Sequence, residues 1–233
     1  MMLTEENKDN FFKVALSASI VLFGFDGKDL KILIRERSTE PFKGALILPS
    51  TYILPNESVE VNVAKLIEER ICLTDCYLEQ LKAFAKVFRN PYGRVVNIAF
   101  YAIVKLSDEI VQYNQQSGNI WINSNEIPEL AFDHNEIIDF AKERLKRRVK
   151  RRPIGFELLP NEFTILQLQT LYEKAMNKLL DKRNFRKKLF KSNLILDTGK
   201  FIRPKNSRKP SKLYSFDKET YQTMTLKGYD ILF

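Results

Sequence analysis

The stretch Thr51 to Leu73, TYILPNESVEVNVAKLIEERICL, constrains the fold more than any other part of the chain. Pro55-Asn56 ends an extended run. From Ser58 onward Val59, Val63, Ile67 and Ile71 recur at every fourth position, the stripe of an amphipathic helix. Glu57 precedes the first turn, where a carboxylate meets the positive end of the helix dipole. A loop therefore runs into a helix here, and strand signals lie on both sides of it. Residues 15–23 (ALSASIVLF) are β-prone, Leu30 to Arg35 alternate, and Gly24-Phe25-Asp26-Gly27 between them predicts a hairpin. Further strands are expected at 46–48, at 82–89, at 95–105 (VVNIAFYAIVK) after the turn Asn90-Pro91-Tyr92-Gly93, and through Trp121. Strands before and after one helix, without regular strand-helix alternation, predict a mixed sheet in an α+β domain.

Asp133-His134-Asn135-Glu136 reads as a capping box opening a helix that carries Ile137, Ala141, Leu145 and Val149 on one stripe and ends in KRRVKRR. Cations at a helix C-terminus are favoured by the dipole and are often only solvated. Pro153 closes this helix, so residues 1–152 and 153–233 are expected to form two domains. Charge divides the same way. Residues 1–141 hold 14 Lys and Arg against 20 Asp and Glu, residues 142–152 hold 8 against 1, and residues 153–233 hold 16 against 8. An acidic domain, a basic seam and a basic domain point to a polyanion partner for the C-terminal third. The acidic N-terminus lacks a signal peptide's basic and apolar regions, and no apolar run is long enough for a membrane, so a soluble, cytoplasmic protein is expected. Cys72, Cys76 and the single histidine, His134, support neither a disulfide framework nor a zinc site; buried, inert thiols are expected.

In the C-terminal third Thr164 is positioned to cap a helix, ILQLQTLYEKAM, with Ile165, Leu168, Tyr172 and Ala175 on one face. Asp181 caps a second, KRNFRKKLFK, whose Phe185 and Leu189 turn inward and send the cations outward. A strand at 194–196, a turn at Asp197-Thr198-Gly199, a strand through Phe201 and Ile202, the basic loop RPKNSRKPSK and a strand at 213–216 follow. Two helices and a hairpin with a cationic tip make a winged helix-turn-helix, which reads duplex DNA through its second helix. The candidate DNA-binding residues are Lys182, Arg183, Asn184, Arg186, Lys187 and Lys191 on that helix and Arg203, Lys205, Arg208, Lys209 and Lys212 on the wing. Lysines and arginines supply phosphate contacts, whereas Arg183, Asn184 and Arg186 have the geometry to reach base edges. The bland alternative is a merely soluble basic domain, and RNA is the other polyanion to test.

The spacing from Thr51 to Cys72 resembles the Nudix box, with its leading glycine on Thr51, first Glu on Glu57, Arg-Glu on Lys65-Leu66, Glu-Glu on Glu69-Arg70 and trailing glycine on Cys72. In Nudix hydrolases these carboxylates hold divalent metal; Leu66 has no oxygen to offer and Arg70 carries the wrong charge. Glu57 and Lys65 keep the signs of the box's internal ion pair. Together with FRNPYGRVVNIAFYA (88–102), ELAFDHNEII (129–138), PIGFELLPNEFTILQLQTLYE (153–173) and DKRNFRKKL (181–189), the chain resembles Nudix-related transcriptional regulators, the arabinose-responsive type of Bacteroidetes above all, and the related ADP-ribose-responsive repressors of NAD metabolism. Ser50-Thr51 departs from the glycine pair of that group. The resemblance implies a homodimeric, DNA-binding regulator, with no catalytic residue, metal or cofactor, whose Nudix-like domain senses a small effector: a sugar such as L-arabinose, or else ADP-ribose. It further implies an effector pocket around the former active site, with Arg37, Arg89, Arg94, Asn97, Tyr101 and His134 as candidates, and the seam 142–152 as the mechanical link. Surface pairs and core aromatics are the alternative for each candidate. A working hydrolase of a nucleoside diphosphate derivative with a basic accessory domain is the alternative for the whole chain.

Overall fold

A computed structural model of the chain describes residues 13–71, 76–203 and 209–226. By contacts it divides into two units. The first comprises residues 1–23, 32–103 and 107–141, and the second residues 24–31, 104–106 and 142–233, so the division within the long helix falls after Ala141.

The first unit is built on a seven-stranded sheet with the order β3 (Leu46–Ile47), β2 (Leu30–Glu36), β1 (Ala15–Phe25), β6 (Val95–Lys105), β5 (Tyr77–Phe84); β4 (Ser50–Tyr52) also pairs with β1, and β7 (Asn119–Asn123) with β2. The central strands are runs of apolar residues, not alternations, because both faces are covered. Ala18, Ile20, Val21, Leu22 and Phe23 have no exposed surface. Helix α1 (Val59–Ile71) supplies Val63, Leu66, Ile67 and Ile71 to the core, while Val59 stays half-exposed. The Ser58 hydroxyl accepts from the Val61 N–H at 3.3 Å and starts this helix. Helix α2 (Asp108–Gln116), capped by Ser107, was not expected, and α3 runs from His134 to Arg151.

Several expectations are modified by the structure. Residues 85–94 form a loop, not the end of a strand, because Val87 and Phe88, which look like strand residues, stand 58% and 93% exposed. Ser50–Tyr52 pair with β1 as a strand, so the lost glycines remove no positive φ from this segment. Asp133 and Glu136 stand at the cap and third positions of α3 as expected, but their carboxylates take ion pairs: Asp133 accepts Arg89 Nε and Nη2, and Glu136 accepts Lys86 Nζ at 2.5 Å. Cys76 is half-buried, not buried; Cys72 lies outside the described residues. Among the described residues no helix is long and apolar enough to cross a membrane.

In the second unit a 3-10 helix (Pro153–Leu158) leads to α4 (Ile165–Met176) and α5 (Lys182–Lys191). Thr164 and Gln167 form a reciprocal capping box on α4, and the Asp181 carboxylate accepts the Asn184 N–H on α5. Asn177 takes the left-handed conformation that ends α4. Glu173 Oε1 then accepts both Gln169 Nε2 and the Leu180 N–H, fixing the turn between the helices. Tyr172 meets Phe185 edge-on at 5.7 Å, and Leu168, Leu171 and Leu189 complete the core. The wing is a two-stranded ribbon of β8 (Ile195–Ile202) and β9 (Ser211–Phe216), which Phe163 extends by a bridge to Tyr214. Asp197-Thr198-Gly199 is not the expected turn between strands. The register passes from Asp197 opposite Tyr214 to Phe201 opposite Lys212, so these residues bulge out of one continuous strand, with Gly199 at φ 72°. Helix α6 (Lys218–Leu226) follows.

Candidate functional site

The box loop keeps its frame. Lys65 Nζ reaches Glu57 Oε1 at 2.5 Å, and the Asn62 amide bridges the loop, donating to Ser58 O at 3.0 Å. The frame does not fit a divalent ion. Leu66 is packed into the core at 3% exposure, and no group of three His, Cys, Asp or Glu side chains is placed to hold a metal among the described residues. The side chain of Arg70 lies outside them.

Beside the loop lies a cleft of about 400 Å³. Strand β1 gives it Ser17, the end of β2 Arg37, β4 Thr51 and Tyr52, the 85–94 loop Arg89 and Asn90, β6 Asn97, and the entry to α3 Phe132 and His134. Among the described residues no carboxylate lines it. The Arg89 guanidinium is almost fully buried and forks onto Asp133, Nε to Oδ2 at 2.9 Å and Nη2 to Oδ1 at 2.5 Å. Arg37 is held differently, Nε donating to Pro41 O at 2.6 Å and Nη2 to Glu40 O at 3.1 Å, across the cis Glu40–Pro41 peptide. Neutral carbonyls orient Arg37 without cancelling its charge. Its guanidinium also lies 5.2 Å over the Phe132 ring.

Phe132 and its neighbour Phe42 both have positive φ, 62° and 66°, a conformation costing a bulky residue about 1–3 kcal/mol that persists only where surroundings impose it. Their rings meet edge-on at 4.9 Å. His134, 3% exposed, accepts the Leu48 N–H on Nδ1 at 3.0 Å, which puts its own proton on Nε2. Burial pushes its pKa down to about 4, against a smaller opposing pull from Asp133, so the ring is neutral at pH 7. The cleft thus presents one compensated arginine, one uncompensated arginine, a neutral imidazole and two aromatic faces. Asn97 lies deeper, accepting Ser19 Oγ at 2.8 Å and donating to Ser17 Oγ at 3.1 Å.

Of the six pocket candidates the structure brings Arg37, Arg89, Asn97 and His134 together around this cleft. Tyr101 and Arg94 do not line it. Tyr101 is fully buried against Phe23 and Tyr77 and donates to Glu79 Oε2 at 2.9 Å; burial holds its phenol well above the usual range. It shares a face of β6 with Asn97 but lies four residues, roughly 13 Å, further along. Arg94 donates to Ala85 O at 2.8 Å and ties down its loop. Tyr52, Asn90 and Phe132 were missed. Phe132 stood in a stretch carrying the resemblance, but nothing in periodicity marks a left-handed phenylalanine.

On α5, Lys182, Arg183, Asn184, Arg186, Lys187 and Lys191 are all exposed, as is Lys188, which had not been singled out, while Phe185 and Leu189 are buried. Arg203 and Lys209 are exposed on the wing. Lys212 pairs across the ribbon with Asp197, which compensates its charge. Lys205 and Arg208 lie outside the described residues.

The family model described as the NrtR DNA-binding winged helix domain matches residues 155–216. Over 94% of its length the chain is 24% identical to the ADPR responsive transcriptional repressor NtrR of Acinetobacter baylyi, covering 88% of that protein. Over 54% of its length it is 31% identical to an ADP-ribose pyrophosphatase of Methanocaldococcus jannaschii, covering 75% of it. The crystal structure of Shewanella oneidensis NrtR complexed with a 27mer DNA superposes with a TM-score of 0.77 at 28% identity, over 93% of this chain and 97% of that one. The NUDIX domain of the same protein, complexed with ADP ribose, superposes with a TM-score of 0.51 at 26% identity, over 61% of this chain and 99% of that one. None of these relatives is described as responding to arabinose. A Nudix-like α+β domain with a degenerate box is followed by a winged helix of the NrtR type, the arrangement of the NrtR-like, Nudix-related transcriptional regulators to which the chain is similar.

Proposed function

We propose that the chain is a DNA-binding transcriptional regulator, acting as a homodimer, whose Nudix-like domain binds an ADP-ribose-type effector and does not turn it over. The observation that carries the effector class is the cleft's lining: two arginines, two aromatic rings and, among the described residues, no carboxylate. A neutral pentose needs hydroxyl partners and gains little from an uncompensated guanidinium. A nucleoside diphosphate sugar supplies a diphosphate for Arg37 and a flat base for Tyr52 or Phe132. The expectation of L-arabinose therefore yields to the former runner-up, in line with the effectors of the relatives. Exposed cations along α5 support duplex DNA as the partner. A homodimer would match the two-fold symmetry that operator half-sites commonly mirror.

Isothermal titration of the full chain tests the effector. ADP-ribose is expected to bind without added metal, Arg37→Ala to weaken it at least about tenfold, and L-arabinose to give no heat. Arabinose binding with ADP-ribose inert would overturn the reading. The pyrophosphatase relative favours hydrolysis as a second reading. Magnesium- or manganese-dependent release of AMP, lost in Glu69→Gln, would establish it.

A further inference from the structure

We infer, resting on the effector reading proposed above, that the tip of the β1–β2 hairpin, clasped to α4 through Asp29 and Lys174, is the joint by which occupation of the cleft reaches the DNA-binding helices. By its contacts the tip, residues 24–31, belongs to the second unit, as do residues 104–106 at the end of β6. The same strands furnish the cleft at their other ends: Ser17 on β1, Arg37 just past β2 and Asn97 on β6. Each strand thus runs roughly 25 Å from a cleft residue to the second unit.

The two acids of the tip divide their roles. Asp26 builds the turn: its Oδ1 accepts the Lys28 N–H at 2.9 Å and the Asp29 N–H at 2.7 Å, and its Oδ2 pairs with Lys31 at 2.9 Å. Gly27, at φ 91°, supplies the left-handed residue of the reversal. The Asp29 carboxylate instead receives Lys174 Nζ at 2.6 Å, from 145 positions along the chain. Gly27 also lies against α4, where a Cβ on it would stand 3.9 Å from the Gln167 amide nitrogen. Gln167 and Lys174 are seven residues apart, two turns along one face of α4. Two holds at that spacing fix the direction of the helix, where one would be a pivot. A third comes from the end of β6, where Lys105 Nζ donates to Asn161 Oδ1 at 2.9 Å, just before the Thr164 cap.

Beyond the clasp the path to α5 is short. Next to Lys174, Glu173 accepts the Leu180 N–H, and Tyr172 packs on Phe185 of α5. Towards the cleft, Ile20 to Phe23 on β1 and Ile32 to Ile34 on β2 have no exposed surface, and interiors packed this closely transmit strain. A ligand that favours one placement of Ser17 and Arg37 therefore favours one placement of the tip, and differential affinity of that kind is what couples two sites.

Anisotropy of the labelled DNA upstream of the chain's own gene gives the apparent Kd with and without saturating ADP-ribose, and the ratio of the two is the readout. A wild-type ratio of about tenfold should fall below about threefold in Asp29→Asn and in Lys174→Gln, and return in the reversed pair Asp29→Lys/Lys174→Asp. Calorimetric ADP-ribose binding should be unchanged in all three, which also shows that they fold. A merely structural pair would weaken both Kd values together and leave their ratio alone. An undiminished ratio in either single variant overturns the inference and leaves the effector reading standing. So does a reversed pair whose ratio stays collapsed, since the ion pair is then not the link. A wild-type chain whose grip on DNA does not respond to ADP-ribose overturns that reading, and the joint with it.

Discussion

The cations of the cleft and those of α5 are held in opposite ways. Arg89 is buried and forked onto Asp133, and Arg37 is oriented by two carbonyls and a ring. Lys182, Arg183, Arg186, Lys187 and Lys191 extend into solvent from a helix anchored by two apolar side chains, Phe185 and Leu189. Buried, fixed cations discriminate: they are pre-organised for one geometry, and disturbing them damages the fold. Exposed cations attract any polyanion at long range, and salt weakens them. On the proposed reading, one chain separates selective recognition of a small anion from broad attraction to a long one.

The sharpest break in this contrast is Arg89→Ala. It strands the buried Asp133 carboxylate and is expected to destabilise the chain by about 3–5 kcal/mol in urea unfolding. Removing Asp133 as well should recover part of that loss. Any exposed α5 lysine changed to Ala should shift stability by no more than about 0.5 kcal/mol. Next comes pH. His134 has its folded pKa lowered to about 4 from 6.5, so the native state favours the neutral ring. Its contribution is fully present above the unfolded value and is lost as pH falls from about 6.5 to 4, to a total of about 3 kcal/mol. In His134→Asn, whose amide oxygen can still accept the Leu48 N–H, that part of the stability slope should disappear. On the DNA side, Arg186→Ala should cost about 1–3 kcal/mol on the operator and little on random duplex. Equal loss on both would show that Arg186 reads no base. Smallest is Lys187→Ala/Lys191→Ala, which should weaken all duplexes alike and flatten the salt dependence by about 0.9 per lost phosphate contact.

Legibility in the sequence followed the same division. Helices α4 and α5 could be read to the residue because Thr164 and Asp181 are local caps whose effect needs no tertiary partner. Strand β6 was legible as a long apolar run. Helix α2 was missed: after its Ser107 cap and acidic first turn, Gln112, Asn114, Gln115 and Gln116 blur the apolar period. The 85–94 loop misled because Val87 and Phe88 look like strand and are exposed. In the cleft the polar candidates were findable by type, but burial on both faces of β6 hides which end of the strand a residue occupies. Tyr101, which does not line the cleft, was therefore drawn in, and Phe132, which does, was overlooked. Asp133 was read as a cap because sequence shows its neighbours along the chain, while Arg89, 44 positions away, holds it.

The central claim is that occupation of the arginine-lined cleft alters the grip of α5 on DNA, and the coupling of two ligands to one chain measures it most directly. Fluorescence anisotropy of the labelled DNA upstream of its own gene, titrated with protein with and without saturating ADP-ribose, should give apparent Kd values differing about tenfold. That difference should vanish in Arg37→Ala while DNA affinity without effector is retained. Superimposable titrations for the wild-type chain, under conditions where calorimetry shows ADP-ribose bound, would contradict the account.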